Sequence, residues 1–144
     1  YTLEFDQEGM DPLRHFLDFV QQIPYKRPPE VYKGRYINGY FVPPICLAEG
    51  YGDCDSKVIL LADLMAAGWR EEEKLALALI NGKGIAHTIL LVQRPQLPGM
   101  SSIYSDKHGR FLPVETTTAG WNPGFISPVL ADLLKEGLFD FVSF

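Results

Sequence analysis

A change of hydrophobic period part-way along the chain limits its fold more than any other feature. Early on, Leu13, Phe16, Leu17 and Val20 recur at helical spacing between Pro12 and Pro24, with Asp11 placed as a cap. This predicts a short amphipathic helix that Pro24 stops. A second helix is predicted from near Asp53 through Val58, Leu61, Ala62 and Met65 to a left-handed stop at Gly68. Its apolar side is wide, as in a helix buried at the centre of a fold. Past Trp69 and the charged run 70–74, three apolar stretches follow at 75–80, 85–93 and 110–116, separated by turn residues. They read as strands. Residues 81–84 and 106–109 are turn sequences, so sequential antiparallel pairing is predicted. Ser127 and Pro128 open a last helix to about Glu136, closed by Gly137, and 139–144 form a final strand. Residues 24–44, rich in proline, read as an ordered surface loop. Helices first and a sheet afterwards give the class α+β.

Composition narrows the function classes. A chain of 144 residues, 47% hydrophobic and 22% charged, fits one folded domain over 1–144 and excludes wholesale disorder. No apolar run approaches the roughly 18 residues of a membrane span, so no membrane insertion is expected. A net charge of -5, from 18 acidic against 13 basic residues, argues against a nucleic-acid partner. The densest basic stretch holds Lys26, Arg27, Lys33 and Arg35 among Tyr25, Tyr32 and Tyr36, and single-strand stacking there is the weakest of three function classes. Two cysteines, Cys46 and Cys54, are too few for a disulfide scaffold. The chain opens at Tyr1 without a basic start and apolar stretch, so any signal or anchor is expected to have been removed. The compartment is unassigned, and a soluble extracytoplasmic domain, part of a larger protein, fits.

The most informative run is Gly50-Tyr51-Gly52-Asp53-Cys54-Asp55-Ser56-Lys57, which sets a cysteine at the first turn of a helix after a glycine-bearing loop. Free N–H groups and the positive dipole end there favour a thiolate, the nucleophilic form. The same N–H groups suit an oxyanion. A thiol nucleophile needs a base, and the base needs an orienting group. His87, a polar ring within the apolar strand 85–92, is the best candidate base, and Glu115, in Leu112-Pro113-Val114-Glu115-Thr116-Thr117, is the candidate carboxylate. Taken singly, each has a bland reading: a buried thiol, a satisfied core histidine and an edge carboxylate. The ordered trio outweighs them.

Gly52-Asp53-Cys54-Asp55-Ser56-Lys57 with Leu60-Leu61, then a His in an apolar strand, then Glu115-Thr116-Thr117 with Gly120-Trp121, resembles the transglutaminase-like superfamily of papain-related cysteine enzymes. Phe19-Val20-Gln21-Gln22-Ile23-Pro24-Tyr25 also resembles its bacterial members. The resemblance covers about residues 15–125. It implies a papain-like transglutaminase core, with N-terminal helices and the nucleophile starting a central helix packed on an antiparallel sheet. It implies Cys54 as nucleophile, His87 as general base and acid, and Glu115 as orienting carboxylate, where many members carry Asp. Gly52 and Asp53, with Gln22, Tyr40 and Trp121, are the candidate oxyanion and substrate-binding residues. The second oxyanion donor stays open among Gln21, Gln22, Asn38 and Tyr40.

The expected activity is that of a cysteine peptidase or amidase on a peptide or protein substrate. Amine-accepting cross-linking and a catalytically idle binding module remain as alternatives. No cofactor is expected. Cys46, Cys54, His87 and His108 lack zinc-site spacing, and no stretch has the alternating pattern of a calcium loop. Cys46 reads as a packing residue, His15 as a surface residue and His108 as the fallback base.

Overall fold

The structure, a computed structural model, describes residues 12–67, 74–93, 103–105 and 109–144. These fall into two compact units, one formed by the described residues up to 67 with 116–120, the other by the remainder. The architecture is α+β. Among the described residues, no helix is long and apolar enough to cross a membrane.

In the first unit, helix α1 (Pro12–Gln22) buries Leu13, Phe16, Leu17 and Val20, the helical stripe of the sequence, while Arg14 and Asp18 stay exposed. Helix α3 (Cys54–Ala67) packs against α1 through a wide buried side that includes Val58, Leu61, Ala62 and Met65. Full burial of each large side chain contributes about 1.5–3 kcal/mol. Lys57, also on α3, is 0% exposed. Its ammonium donates to Ile23 O at 2.8 Å and to Gln21 O at 3.4 Å, carbonyls at the C-terminal end of α1. A cation there answers the negative end of the helix dipole and occupies carbonyls that the helix leaves unpaired.

The stretch 24–44 is more regular than a loop. It holds a hairpin of β1 (Val31–Tyr32) and β2 (Arg35–Tyr36), turned by Lys33 and Gly34, both at positive φ. Such a pair of left-handed residues is what a two-residue hairpin turn requires. At its end a helix, α2 (Pro43–Glu49), starts at the two prolines, because proline suits a first turn whose N–H groups have no intrahelical partner. Gly50, at φ 76, closes α2. The basic and aromatic residues of this stretch pair among themselves and with the following loop: Tyr32 bonds Glu49, Lys26 stands 4.8 Å over the Tyr51 ring, and the fully buried Phe41 meets Tyr32 and Tyr51 edge-on.

The second unit is an antiparallel sheet in the order β5-β6-β4-β3-β7, from β3 (Lys74–Gly82), β4 (Ile85–Gln93), β5 (Ile103–Ser105), β6 (Gly109–Val114) and β7 (Phe139–Ser143). Lys83 and Gly84, again both at positive φ, join β3 to β4. Helix α4 (Pro128–Lys135) is capped by Ser127, whose Oγ accepts the Leu130 N–H. Its Leu130, Leu133 and Leu134 pack with Ala76, Ala78, Ile80, Ile89, Leu91 and Phe111. The short Ala76 and Ala78 leave room in the sheet for the leucines. The third apolar stretch of the sequence runs to Thr116, but β6 stops at Val114, so Glu115 follows the strand instead of lying in it. Asp11, Gly68, the charged residues 70–73, His108 and the turn residues 106–108 lie outside the described residues.

Replacing Lys57 with Met keeps the stem and removes the ammonium. This is expected to lower unfolding free energy by about 2–3 kcal/mol, read from the urea midpoint, whereas Ala at the exposed Asp63 of the same helix shifts it by under about 0.5 kcal/mol.

Candidate functional site

Cys54 is half-buried at the first position of α3. Asp53 fixes that start: its Oδ1 accepts the Ser56 N–H at 3.0 Å and the Ser56 hydroxyl at 2.8 Å. Asp53 stands at the cap position of the helix, and its carboxylate is committed to that role. Ser56 Oγ also accepts the Phe41 N–H at 2.8 Å, tying the helix start to the segment ahead of α2. The Cys54 N–H belongs to the first turn, so it has no intrahelical acceptor and lies at the positive end of the dipole.

Gly52 is glycine for a packing reason. A Cβ there would fall 2.8 Å from the Ser56 Cβ and 3.1 Å from Cys46 Sγ. Cys46 is 0% exposed, and burial pushes its thiol upward, with Asp53 adding to the rise and Lys57 opposing it. Both cysteines are free thiols.

The Gly52 main chain also bridges a distant segment. Its N–H donates to Pro24 O at 3.2 Å, and Lys26 N–H donates to Gly52 O at 3.1 Å, a parallel bridge between Tyr25 and Gly52. Tyr25 is thereby held beside the cysteine loop. Partial burial of the hydroxyl, then the charges of Cys54 and Asp53, push the phenol above its ordinary range, while the Cys54 backbone pulls the other way. Nothing in the sequence pattern singles out Tyr25, because the bridge joins residues far apart in the chain.

In the second unit, His87 on β4 and Glu115 just past β6 meet through Nε2 and Oε2 at 2.8 Å. Glu115 is 3% exposed. Burying an unpaired carboxylate costs several kcal/mol, so a bonded partner is required. An ionised carboxylate only accepts, so opposite one Nε2 is the donor. The pairing of β4 with β6 covers Leu90 to Val92, opposite Val114 to Leu112. The side-chain bond lies just beyond the end of that ladder. The Pro113 carbonyl accepts the Gly124 N–H at 2.8 Å, which leads the chain off after the strand.

Of the remaining candidates, Gln22 is exposed at the end of α1, Tyr40 is half-buried ahead of Phe41, and neither is bonded to Cys54. Trp121 is half-buried with its ring edge-on to Phe125 at 4.8 Å. Among the described residues, no group of three or more His, Cys, Asp or Glu side chains is placed to hold a metal ion.

No protein-family model and no curated protein matches the chain. Among solved structures it is similar to Legionella pneumophila LapG. The EGTA-treated form gives a TM-score of 0.54 at 17% identity over 92% of this chain, and the calcium-bound form 0.52 at 16% over 92%. The chain spans 61% and 63% of the length of those two LapG chains. This likeness supports a transglutaminase-like α+β fold.

Gly52→Ala is expected to lower stability by about 1–3 kcal/mol, because the added methyl overpacks the turn against Ser56 and Cys46. Urea unfolding followed by tryptophan fluorescence checks it.

Proposed function

We propose that the chain is a thiol hydrolase acting on amide bonds, a cysteine peptidase or amidase of transglutaminase-like type, with Cys54, His87 and Glu115 as its triad. The observation that carries the reading is the 2.8 Å bond between His87 and the buried Glu115. A buried carboxylate bonded to one ring nitrogen orients an imidazole and stabilises its protonated form, as a base that must accept and return a proton requires. LapG, whose fold this chain shares, is a cysteine protease, which favours the same chemistry.

In this reading Nδ1 of His87 takes the Cys54 proton, and Sγ adds to the substrate carbonyl carbon. The π pair moves onto oxygen, held by the Cys54 N–H. Collapse reforms the carbonyl and expels the amine, which receives its proton from His87, leaving a thioester. Water, deprotonated by His87, then releases the acid. One of the LapG structures holds calcium. In the steps above, every bond made or broken involves the chain's own groups, the substrate and water.

Cys54→Ala is expected to abolish hydrolysis of a synthetic peptide mixture followed by mass spectrometry, and His87→Ala to slow it by about 10²–10⁴-fold. Full activity in Cys54→Ala would sink the reading. Including a glutamine-bearing peptide and a primary amine distinguishes water from amine as the acceptor.

A further inference from the structure

The sheet of the second unit is open along β7. Among the described residues β7 pairs only with β3, in an unbroken antiparallel register from Phe139 opposite Ile80 to Ser143 opposite Ala76. In such a ladder alternate residues turn both main-chain groups to the neighbouring strand, and the residues between them turn theirs away. Two bonds fix the phase: Asn81 N–H donates to Leu138 O at 3.1 Å, and Phe144 N–H donates to Leu75 O at 3.2 Å. Leu138, Asp140, Val142 and Phe144 therefore bond towards β3, and the N–H and C=O groups of Phe139, Phe141 and Ser143 point outward. Folded proteins commonly guard such an edge with lysine, proline or a bulge. Leu138 to Phe144 holds no basic residue and no proline, and its register has no bulge. Val142 and Phe144 are 43% and 66% exposed.

We propose that β7 is the surface through which two copies of the chain associate, their β7 strands pairing antiparallel about a two-fold axis at Phe141 so that two sheets become one. The inference is independent of the thiol-hydrolase reading.

Self-complementarity selects a second copy as the occupant. A two-fold axis makes the same strand meet itself in the antiparallel sense. With the axis at Phe141, Phe139 stands opposite Ser143 and Phe141 opposite itself, so every outward main-chain group of β7 meets a partner of the opposite kind. Between these bonded pairs come the closer non-bonded ones, in which Asp140 faces Val142 and Leu138 faces Phe144. The one charge of the strand thus meets an apolar side chain, and the exposed Phe144 ring meets a leucine. An axis moved to Asp140 would set two carboxylates against each other. An axis moved to Val142 would carry Phe139 past the end of the opposite β7. Asp140 and Val142 lie on the sheet face of their β3 partners Leu79 and Leu77, where Leu79 is 36% exposed, and a second copy extends that apolar strip. A contact one strand wide is smaller than a standard interface of roughly 1,600 Å², so the association is reversible and depends on concentration.

The test is sedimentation of the whole chain from micromolar to millimolar concentration. The wild type is expected to pass from monomer to dimer over that range. Val142→Asp sets a carboxylate opposite Asp140 on each side of the axis and is expected to weaken the dimer by about tenfold, whereas Val142→Lys sets an ammonium there and is expected to tighten it. Amide hydrogen exchange of the wild type reads the same contact without any variant. Phe139, Phe141 and Ser143 are expected to gain protection as concentration rises, while Asp140 and Val142, bonded to β3, are protected throughout. A wild type that stays monomeric overturns the inference. So does a dimer indifferent to the sign of the charge at residue 142, or one whose new protection spares those outward amides, since each places the contact elsewhere.

Discussion

The half of the chain that carries Cys54 depends on one buried charge. Lys57 is 0% exposed, and its ammonium donates to Gln21 O and Ile23 O. Taking an ammonium out of water costs several kcal/mol, and a leucine of similar bulk would pack without that cost. What the charge adds is position. It requires acceptors in one place, and the end of α1 provides them where the dipole is negative. That contact sets where α3 lies along α1. It also places Ile23, and with it Pro24 to Lys26, whose main chain bridges Gly52. The apolar stripe of α1 would tolerate sliding; the ammonium does not.

Local rules make much of this legible. The second helix is predicted from near Asp53, which caps it, and Ser127-Pro128 opens α4 as that pair of residues implies. Lys83-Gly84 reads as a turn because it lies between two apolar runs. The same dipeptide at Lys33-Gly34 carries no such signal, because the strands it joins are two residues each and too short to show alternation. Pro43-Pro44 reads as the end of the proline-rich loop, although proline is equally suited to a helix start, and here it opens a helix that Gly50 closes at φ 76. The apolar neighbours of Glu115 assign it to the strand. Its burial is real, but it comes from the bond to His87. Tyr25 reads as one of a basic and aromatic group, since a bridge to Gly52 leaves no periodic trace.

The two thiols show how little the residue type decides. Cys46 sits on a short helix with its Sγ 3.4 Å from Tyr51 O and no exposed surface, in a place where burial disfavours the thiolate. Cys54 stands eight positions later at a helix start, half-buried. Gly52 connects the two environments, because its missing Cβ lets Cys46 and Ser56 close beneath the loop that presents Cys54.

The His87–Glu115 pair gains its geometry from the place where the sheet stops. Ladder pairing of β4 with β6 ends at Leu90 and Val114, and Pro113 has no N–H to extend it. Gly124 takes the Pro113 carbonyl, so the chain leaves the strand at the next residues. A glutamate one residue past the strand can then turn its carboxylate to a histidine three residues before the last paired position of β4. Had the ladder continued, backbone bonds would occupy this space and the side chains would alternate across the pleat. The imidazole, held just beyond the end of the β4–β6 ladder, thus keeps one nitrogen committed to the fold.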